Sequence, residues 1–430
     1  MKILVTGAAG FIGAALCERL LQEGMQVVGL DNLNPYYPLA LKRHRLARLE
    51  TLASQCAGEC GDGRRPGSFR FVPLDLVERE ALLALIKDEG FEVVVNLAAQ
   101  AGVRHSISQP FDYVDSNLVG FVNLLEACRA ARPSHLLYAS SSSVYGDDAA
   151  QPLQEAQVGE RPLSLYAATK RANELMAYSY SHLYGMPVTG LRFFTVYGAR
   201  GRPDMAPLRF ARKLLAGEVI DVYNRGQMAR DFTHVSDIVE GIFRLMPLPP
   251  AQVSSAAPSR VLNLGRGEPI ALGDFINGLE AALCITARRR LLPMQPGDVE
   301  RTWADTSALQ ALTGFRPTVS LATGLEELAE WARHYPSLLS ETQDEREHEA
   351  ADISSDLRSW PACRWRCASL PRWPGWPMET ASRSRRASGR CRVSRAWASR
   401  DWPVPNARSR PGRRAQALPL PSRGCPRRHW

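Results

Sequence analysis

Lys2-Ile3-Leu4-Val5-Thr6-Gly7-Ala8-Ala9-Gly10-Phe11-Ile12-Gly13 opens the chain and decides its fold. Lys2 to Thr6 reads as a short buried strand, the glycines at 7, 10 and 13 as a tight turn, and Phe11 to Glu23 as the following helix. This order suits a nucleotide. Glycine lets the backbone approach a pyrophosphate, and the leading N–H groups of a helix meet it with a partial positive charge. Taken alone, the three glycines read equally as a plain strand-to-helix turn. A secretory leader is the other reading of Lys2 before an apolar run. Gly10 and Gly13 inside the run, Glu18 and Arg19 close behind it, and the lack of a cleavage site argue against that.

Outward from the turn, Val27 to Leu30 forms a second apolar run ending at Asp31-Asn32, about the offset at which an acidic group meets an adenosine ribose. A carboxylate there repels a 2′-phosphate, so the position favours NAD over NADP. Asp75-Leu76 follows the run Phe69 to Val72, and Leu97-Ala98-Ala99 follows Glu92 to Val95. Both sites close strands at the edge where open parallel sheets bind ligands. The expected cofactor set is Gly7, Gly10, Phe11, Ile12, Gly13, Asp31, Asn32, Asp75, Leu76, Leu97, Ala98 and Ala99. Alternating strands and helices predict an α/β fold with a Rossmann-type doubly wound parallel sheet.

The chemistry is expected further along. His135 to Ala139 reads as strand five and runs into Ser140-Ser141-Ser142-Ser143-Val144-Tyr145-Gly146. Serine runs are commonly loop, yet a hydroxyl at a strand's C-terminal end can bridge a sugar oxygen and a base. Tyr166-Ala167-Ala168-Thr169-Lys170 supplies the base, within a helix predicted over 161–184. Residues four apart share a helix face, which sets phenol and ammonium side by side. A free phenol has a pKa of roughly 10, and a neighbouring cation favours its ionised form. An isolated YxxxK also reads as a packing aromatic beside a solvated charge. With the glycine turn and the serine cluster upstream it reads as a catalytic set of Tyr166, Lys170 and Ser141, the first two also touching the cofactor.

The GxxGxxG spacing resembles the fingerprint of extended short-chain dehydrogenase/reductases. Together with Asp31-Asn32-Leu33-Asn34-Pro35-Tyr36-Tyr37, Gln100-Ala101-Gly102-Val103-Arg104, the stretch from Pro162 to Glu174 and the stretch from Leu191 to Gly198, it makes the sequence resemble the UDP-glucuronate 4-epimerases. The likeness continues through Gly201-Arg202-Pro203-Asp204-Met205, Arg230 to Asp237 and Gln295 to Val299, and covers roughly residues 1 to 336. It implies an NAD-binding domain mainly over 1–190, a smaller C-terminal α/β domain for the UDP-sugar mainly over 191–336 with interleaved elements, and a cytoplasmic homodimer. It also implies that Ser142, Ser143 and Thr195 lie by the sugar's carboxylate and Arg202 in the substrate pocket. Arg230 would lie by the diphosphate, and Gln295 and Asp298 by the uridine. On spacing alone Arg230 and Asp298 read equally as a surface ion pair or turn residues.

Relatives of this kind begin alike, with a tyrosine taking a hydroxyl proton while hydride leaves carbon 4 of the sugar. Dehydratases then use an Asp-Glu pair before the Val-Tyr-Gly, and decarboxylases a glutamate at the position of Ser143; here Ser142 and Ser143 stand instead. The resemblance therefore implies epimerisation of UDP-glucuronate to UDP-galacturonate, with UDP-glucose 4-epimerase the nearest alternative and a dehydratase or decarboxylase next. Two departures are visible. Residues 52–67 read as an insertion that lengthens a surface loop, and Ala199-Arg200 replaces an expected Pro-Trp close to the sugar.

At 430 residues the chain can hold two domains, and no apolar run approaches the length of a membrane span. The nine cysteines show no repeated CxxC; Cys56 and Cys60 read as a pair or a metal clip less readily than as free thiols, and no metal is expected. Residues 351–430 carry eighteen arginines against four acids, a surplus of +14, and seven of the nine tryptophans. The remainder of the chain is mildly acidic. Residues 341–430 are expected to be an unstructured Arg/Pro/Trp-rich tail, sequence appended beyond the natural end by a shift of reading frame. The competing reading is an anionic-surface or nucleic-acid binder acting through phosphate neutralisation and base stacking.

Overall fold

The computed structural model describes residues 1–58, 67–147, 150–157, 159–253, 256–295 and 299–339. Strand β1 (Lys2–Thr6) is buried on both faces, as a continuous apolar run in a parallel sheet should be. Ile3 and Val5 face one core while Leu4 faces another, the two-residue alternation of a strand. β2 (Gln26–Asp31), β3 (Ser68–Pro73), β4 (Val93–Asn96), β5 (His135–Ser141), β6 (Val188–Phe193) and the strand Ser259–Leu264 complete a seven-stranded sheet. Its order is Ser259–Leu264, β6, β5, β4, β1, β2, β3, and each neighbouring pair is parallel. The chain builds outward from β1 to β3, then crosses back to lay β4 on the other side. That reversal opens a crevice at the C-terminal ends of β1 and β4.

Helices cover both faces. On one, α1 (Phe11–Gln22) shares a core with the helix Val235–Leu245, through Leu16 and Leu20 against Ile238 and Ile242. On the other, α3 (Arg79–Glu89) packs through Leu82 and Ile86 against Phe121 and Leu124 of the helix Gly120–Ala131. A helix and a strand from the later half of the chain are therefore built into the first layer. A separate core lies among the helices Ala206–Leu215, Leu272–Leu283 and Leu321–His334, centred on the stacked rings of Phe232 and Phe275 at 4.2 Å.

Three sequence expectations are revised. The helix expected from 161 starts at Leu165, because the Ser164 hydroxyl accepts from the Ala167 N–H at 3.1 Å and caps it there. β5 runs on to Ser141, so two of the four serines belong to the sheet rather than to the turn that follows. Residues 52–58, expected in a loop, continue the helix α2 (Leu39–Gly58). Cys60, Asp298 and the tail 341–430 lie outside the described residues. No described helix is long and apolar enough to cross a membrane, and no group of potential metal ligands occurs among the described residues.

Candidate active site

The crevice is a cleft of about 380 Å³. Its floor at one end is the glycine turn. Gly10 precedes α1 without a side-chain cap, which leaves the first amides of the helix to a ligand. A Cβ on Gly13 would stand 2.1 Å from the Gly7 carbonyl oxygen, and one on Gly10 2.9 Å from the same atom. Only a bare backbone closes this turn. Such a cradle fits a dinucleotide diphosphate.

At the end of β2 the Asp31 carboxylate accepts from the N–H groups of Ala9 at 3.2 Å and Leu33 at 2.8 Å. The Lys42 ammonium lies 3.3 Å from it, both side chains being buried. The repulsion of a 2′-phosphate inferred from Asp31 alone is thus partly offset by a cation absent from the sequence reasoning. Asn32 donates to Asp75 at 2.7 Å, joining the ends of β2 and β3. Leu76, Leu97, Ala98 and Ala99 line the same wall with Phe11 and Ile12.

Ser141, Ser142, Ser143, Tyr166, Lys170, Thr195 and Arg202 line the other end of the cleft. Tyr166 and Lys170 are one turn apart on the helix Leu165–Tyr184. Lys170 Nζ donates to the Ala139 carbonyl at 2.9 Å, and burial pulls its pKa down to about 8. Burial pushes the Tyr166 phenol up, opposed by a hydrogen bond with Ser141 and by the Arg202 charge. Arg202 is thus a second cation near the phenol, one to which the helical spacing did not point.

Arg202 is itself held by Asp204, with Nε 3.0 Å from Oδ1 and Nη2 2.6 Å from Oδ2, and it donates to the Ala101 carbonyl at 2.9 Å. Ser141 Oγ donates to Ser143 Oγ at 3.2 Å and accepts from the Ser143 N–H at the same distance. Ser140 points elsewhere, donating to Glu174 at 2.7 Å. Arg230 and Gln295 do not line the cleft. Arg230 donates to the carbonyls of Ala229 and Glu300, both at 3.0 Å, and Gln295 is half-buried.

Sequence reasoning gave no site role to Asn117, 2% exposed within a π-helical turn over Val114–Val119. Its amide donates to the Gln100 carbonyl and to Thr169 Oγ1, both at 3.0 Å, and its Oδ1 accepts from the Gln100 N–H at 2.8 Å. The helix Leu165–Tyr184 is so pinned to the segment after β4. A polar residue inside an otherwise helical stretch was the available signal, and π-helical turns gather at functional sites.

Residues 3–265 match the NAD dependent epimerase/dehydratase family. The chain belongs to that family. Among relatives of this epimerase/dehydratase chain, an uncharacterized 37.6 kDa protein of Escherichia coli O111:H- is 49% identical over 346 residues, spanning 78% of this chain and 99% of the relative. A probable UDP-glucuronate 4-epimerase of Rhizobium meliloti is 45% identical over 343 residues, with 77% and 96% covered. The crystal structure of UDP-glucuronic acid 4-epimerase from Bacillus cereus, in complex with UDP-glucuronic acid and NAD, superposes with a TM-score of 0.68 at 34% identity. It covers 78% of this chain and 99% of its own.

Proposed function

We propose that this epimerase/dehydratase-family enzyme interconverts UDP-glucuronate and UDP-galacturonate at carbon 4 with bound NAD. One observation carries the reading: a single cleft joins the glycine turn and Asp31 at one end to Ser141, Tyr166 and Lys170 at the other. NAD supplies a site that takes a hydride from the sugar and returns it. Ionised, as the Arg202 charge favours and a bound nicotinamide cation would favour further, Tyr166 takes the proton of the carbon 4 hydroxyl and later gives it back. Ser141, which works against burial to lower the phenol's pKa, is assigned to steady that proton's path. Lys170 holds the end of β5 through the Ala139 carbonyl and keeps a positive charge beneath the site below about pH 8.

The keto sugar formed from a glucuronate is a β-keto acid, prone to lose carbon dioxide. Ser142, Ser143 and Thr195 offer neutral hydroxyls to its carboxylate, and no carboxyl side chain stands at 142 or 143 to drive elimination. Arg202 adds a cation already balanced by Asp204. This lining favours return of hydride to the opposite face over loss of carbon dioxide or water. We assign the dinucleotide mainly to residues 1–190 and the UDP-sugar mainly to 191–336. Arg230, Gln295 and Asp298 are assigned to the diphosphate and uridine by their motifs alone.

We assign the homodimer contact to the apolar surface of the helix Leu165–Tyr184 and the adjoining turns at 105–113. There Ile107 is 70% and Phe111 78% exposed, and Leu175, Tyr178 and Leu183 are more than half exposed. Chromatography of UDP-sugars after incubation with UDP-glucuronate tests the activity. Interconversion without accumulating NADH is expected; stoichiometric carbon dioxide, or a 4-keto-6-deoxy product, would overturn it. Tyr166→Phe should lower kcat by about 10²–10⁴-fold while keeping its NAD.

A further inference from the structure

Arg45 lies on α2, outside the cleft lining, and is 1% exposed. Its guanidinium makes five hydrogen bonds, all to neutral acceptors. Nη1 donates to the Ala9 carbonyl at 2.9 Å and to the Tyr37 hydroxyl at 2.8 Å. Nε donates to the Arg200 carbonyl at 3.1 Å, and Nη2 to the carbonyls of Arg200 and Gly201, each at 2.7 Å. No carboxylate among the described residues pairs with it. A buried cation without a counter-charge is costly, so its retention calls for a reason beyond packing.

The acceptors give that reason. Ala9 belongs to the glycine turn, and Arg200 and Gly201 to the loop that carries Arg202 into the opposite end of the cleft. Arg200 sits at φ +58°, a left-handed conformation that a side-chain-bearing residue holds only when its surroundings fix it. Two of the five bonds grip its carbonyl. The Arg200 side chain also reaches Glu18 of α1 at 3.5 Å, fastening the same loop to the nucleotide helix a second time. Only a planar fork of N–H groups can serve both walls at once; a lysine ammonium cannot span them.

We propose that Arg45 is a positioning residue that couples the two halves of the cleft. It fixes the loop at 199–202 against the dinucleotide turn, so that a ligand ordering one wall orders the other. By linkage, a UDP-sugar then tightens the hold on NAD as much as NAD tightens the hold on the UDP-sugar. The inference rests on the reading of the cleft as an NAD and UDP-sugar site.

The test is exchange of bound NAD against isotopically labelled NAD, with and without saturating UDP, in the NAD-loaded wild type and in Arg45→Lys. UDP should slow exchange by about tenfold in the wild type, within the usual range of coupling, and by less than about twofold in Arg45→Lys. Glu18→Gln, which weakens the second fastening together with the Glu18–Arg48 pair, should give an intermediate ratio, and Arg48→Gln, which breaks only the latter, should leave the wild-type ratio; if Arg45→Lys does not fold, an unchanged ratio in Glu18→Gln overturns the coupling. A merely structural Arg45 would lower the melting temperature and leave the UDP effect intact. An unchanged ratio in the folded variant, or no UDP effect in the wild type, overturns the coupling. Failure of the wild type to bind UDP or to turn over UDP-glucuronate defeats the functional reading instead.

Discussion

Glu174→Gln probes a buried ion pair that sets the geometry of the catalytic residues from behind. Glu174 Oε1 accepts from Ser140 Oγ at 2.7 Å and Arg192 Nε at 2.8 Å, and Oε2 accepts from Arg192 Nη2 at 2.9 Å and Arg171 Nη1 at 2.7 Å. The Glu174 and Arg192 side chains are each 2% exposed. Burial works to raise the Glu174 pKa, but Arg192, Ser140 and Arg171 hold it below the usual range. A glutamine keeps the shape and loses the charge, and its amide turns a donor toward donors of Arg192 or Arg171. Removing one partner of a buried pair costs about 3–5 kcal/mol. Set against the roughly 5–15 kcal/mol of a typical fold, that is a large fraction.

Urea denaturation of the NAD-loaded protein reads it. With a slope of about 3 kcal/mol/M, the midpoint should fall by more than about 1 M. Activity should fall as well. Ser140 stands between Ala139, whose carbonyl receives Lys170, and Ser141, which acts on the Tyr166 phenol, so a displaced Ser140 moves both. A loss of about tenfold or more in kcat is expected, on the scale of a sub-ångström misplacement, with NAD content unchanged. A midpoint within about 0.3 M of wild type together with an unaltered kcat would refute this reasoning.

Gly13→Ala, whose new Cβ would meet the Gly7 oxygen at 2.1 Å, should abolish retention of NAD, whereas Gly10→Ala, meeting it at 2.9 Å, should weaken it; nucleotide released on acid precipitation measures both. Asp31→Ser frees the Lys42 ammonium for a 2′-phosphate, so NADP affinity by calorimetry should rise relative to NAD; a ratio unmoved by the change would sink that account. Burial lowers the His135 imidazole from 6.5 to about 4. The unfolded chain then binds the proton first, so stability present above pH 6.5 is lost as pH falls toward 4, by about 3 kcal/mol from this group. Because carboxylates titrate in the same window, the contrast between wild type and His135→Gln isolates the effect, and parallel stability curves would contradict it.

Much of the site was legible because its signals are local. Strand, glycine turn and helix occupy thirteen consecutive residues, and the turn works through backbone that only glycine leaves bare. The tyrosine and lysine four apart needed only the helix period to share a face. Asp31, Asp75 and Leu97 to Ala99 each follow an apolar run, and strand ends in a parallel sheet converge on one crevice. What escaped involves partners remote in sequence. Lys42 became relevant once α2 folded back on β2, and Asn117 once its turn met both Gln100 and Thr169.

The sequence by itself determined the doubly wound sheet, the glycine cradle and which residue types meet in the cleft, since periodicity and backbone freedom are written in neighbouring residues. Tertiary structure alone decided where the charges went. Lys170 turned to the Ala139 carbonyl, Arg202 to the Ala101 carbonyl, and Arg45 to three carbonyls on two walls. A buried cation seeks acceptors in space, and those acceptors come from segments up to 156 residues away; no local pattern encodes that distance.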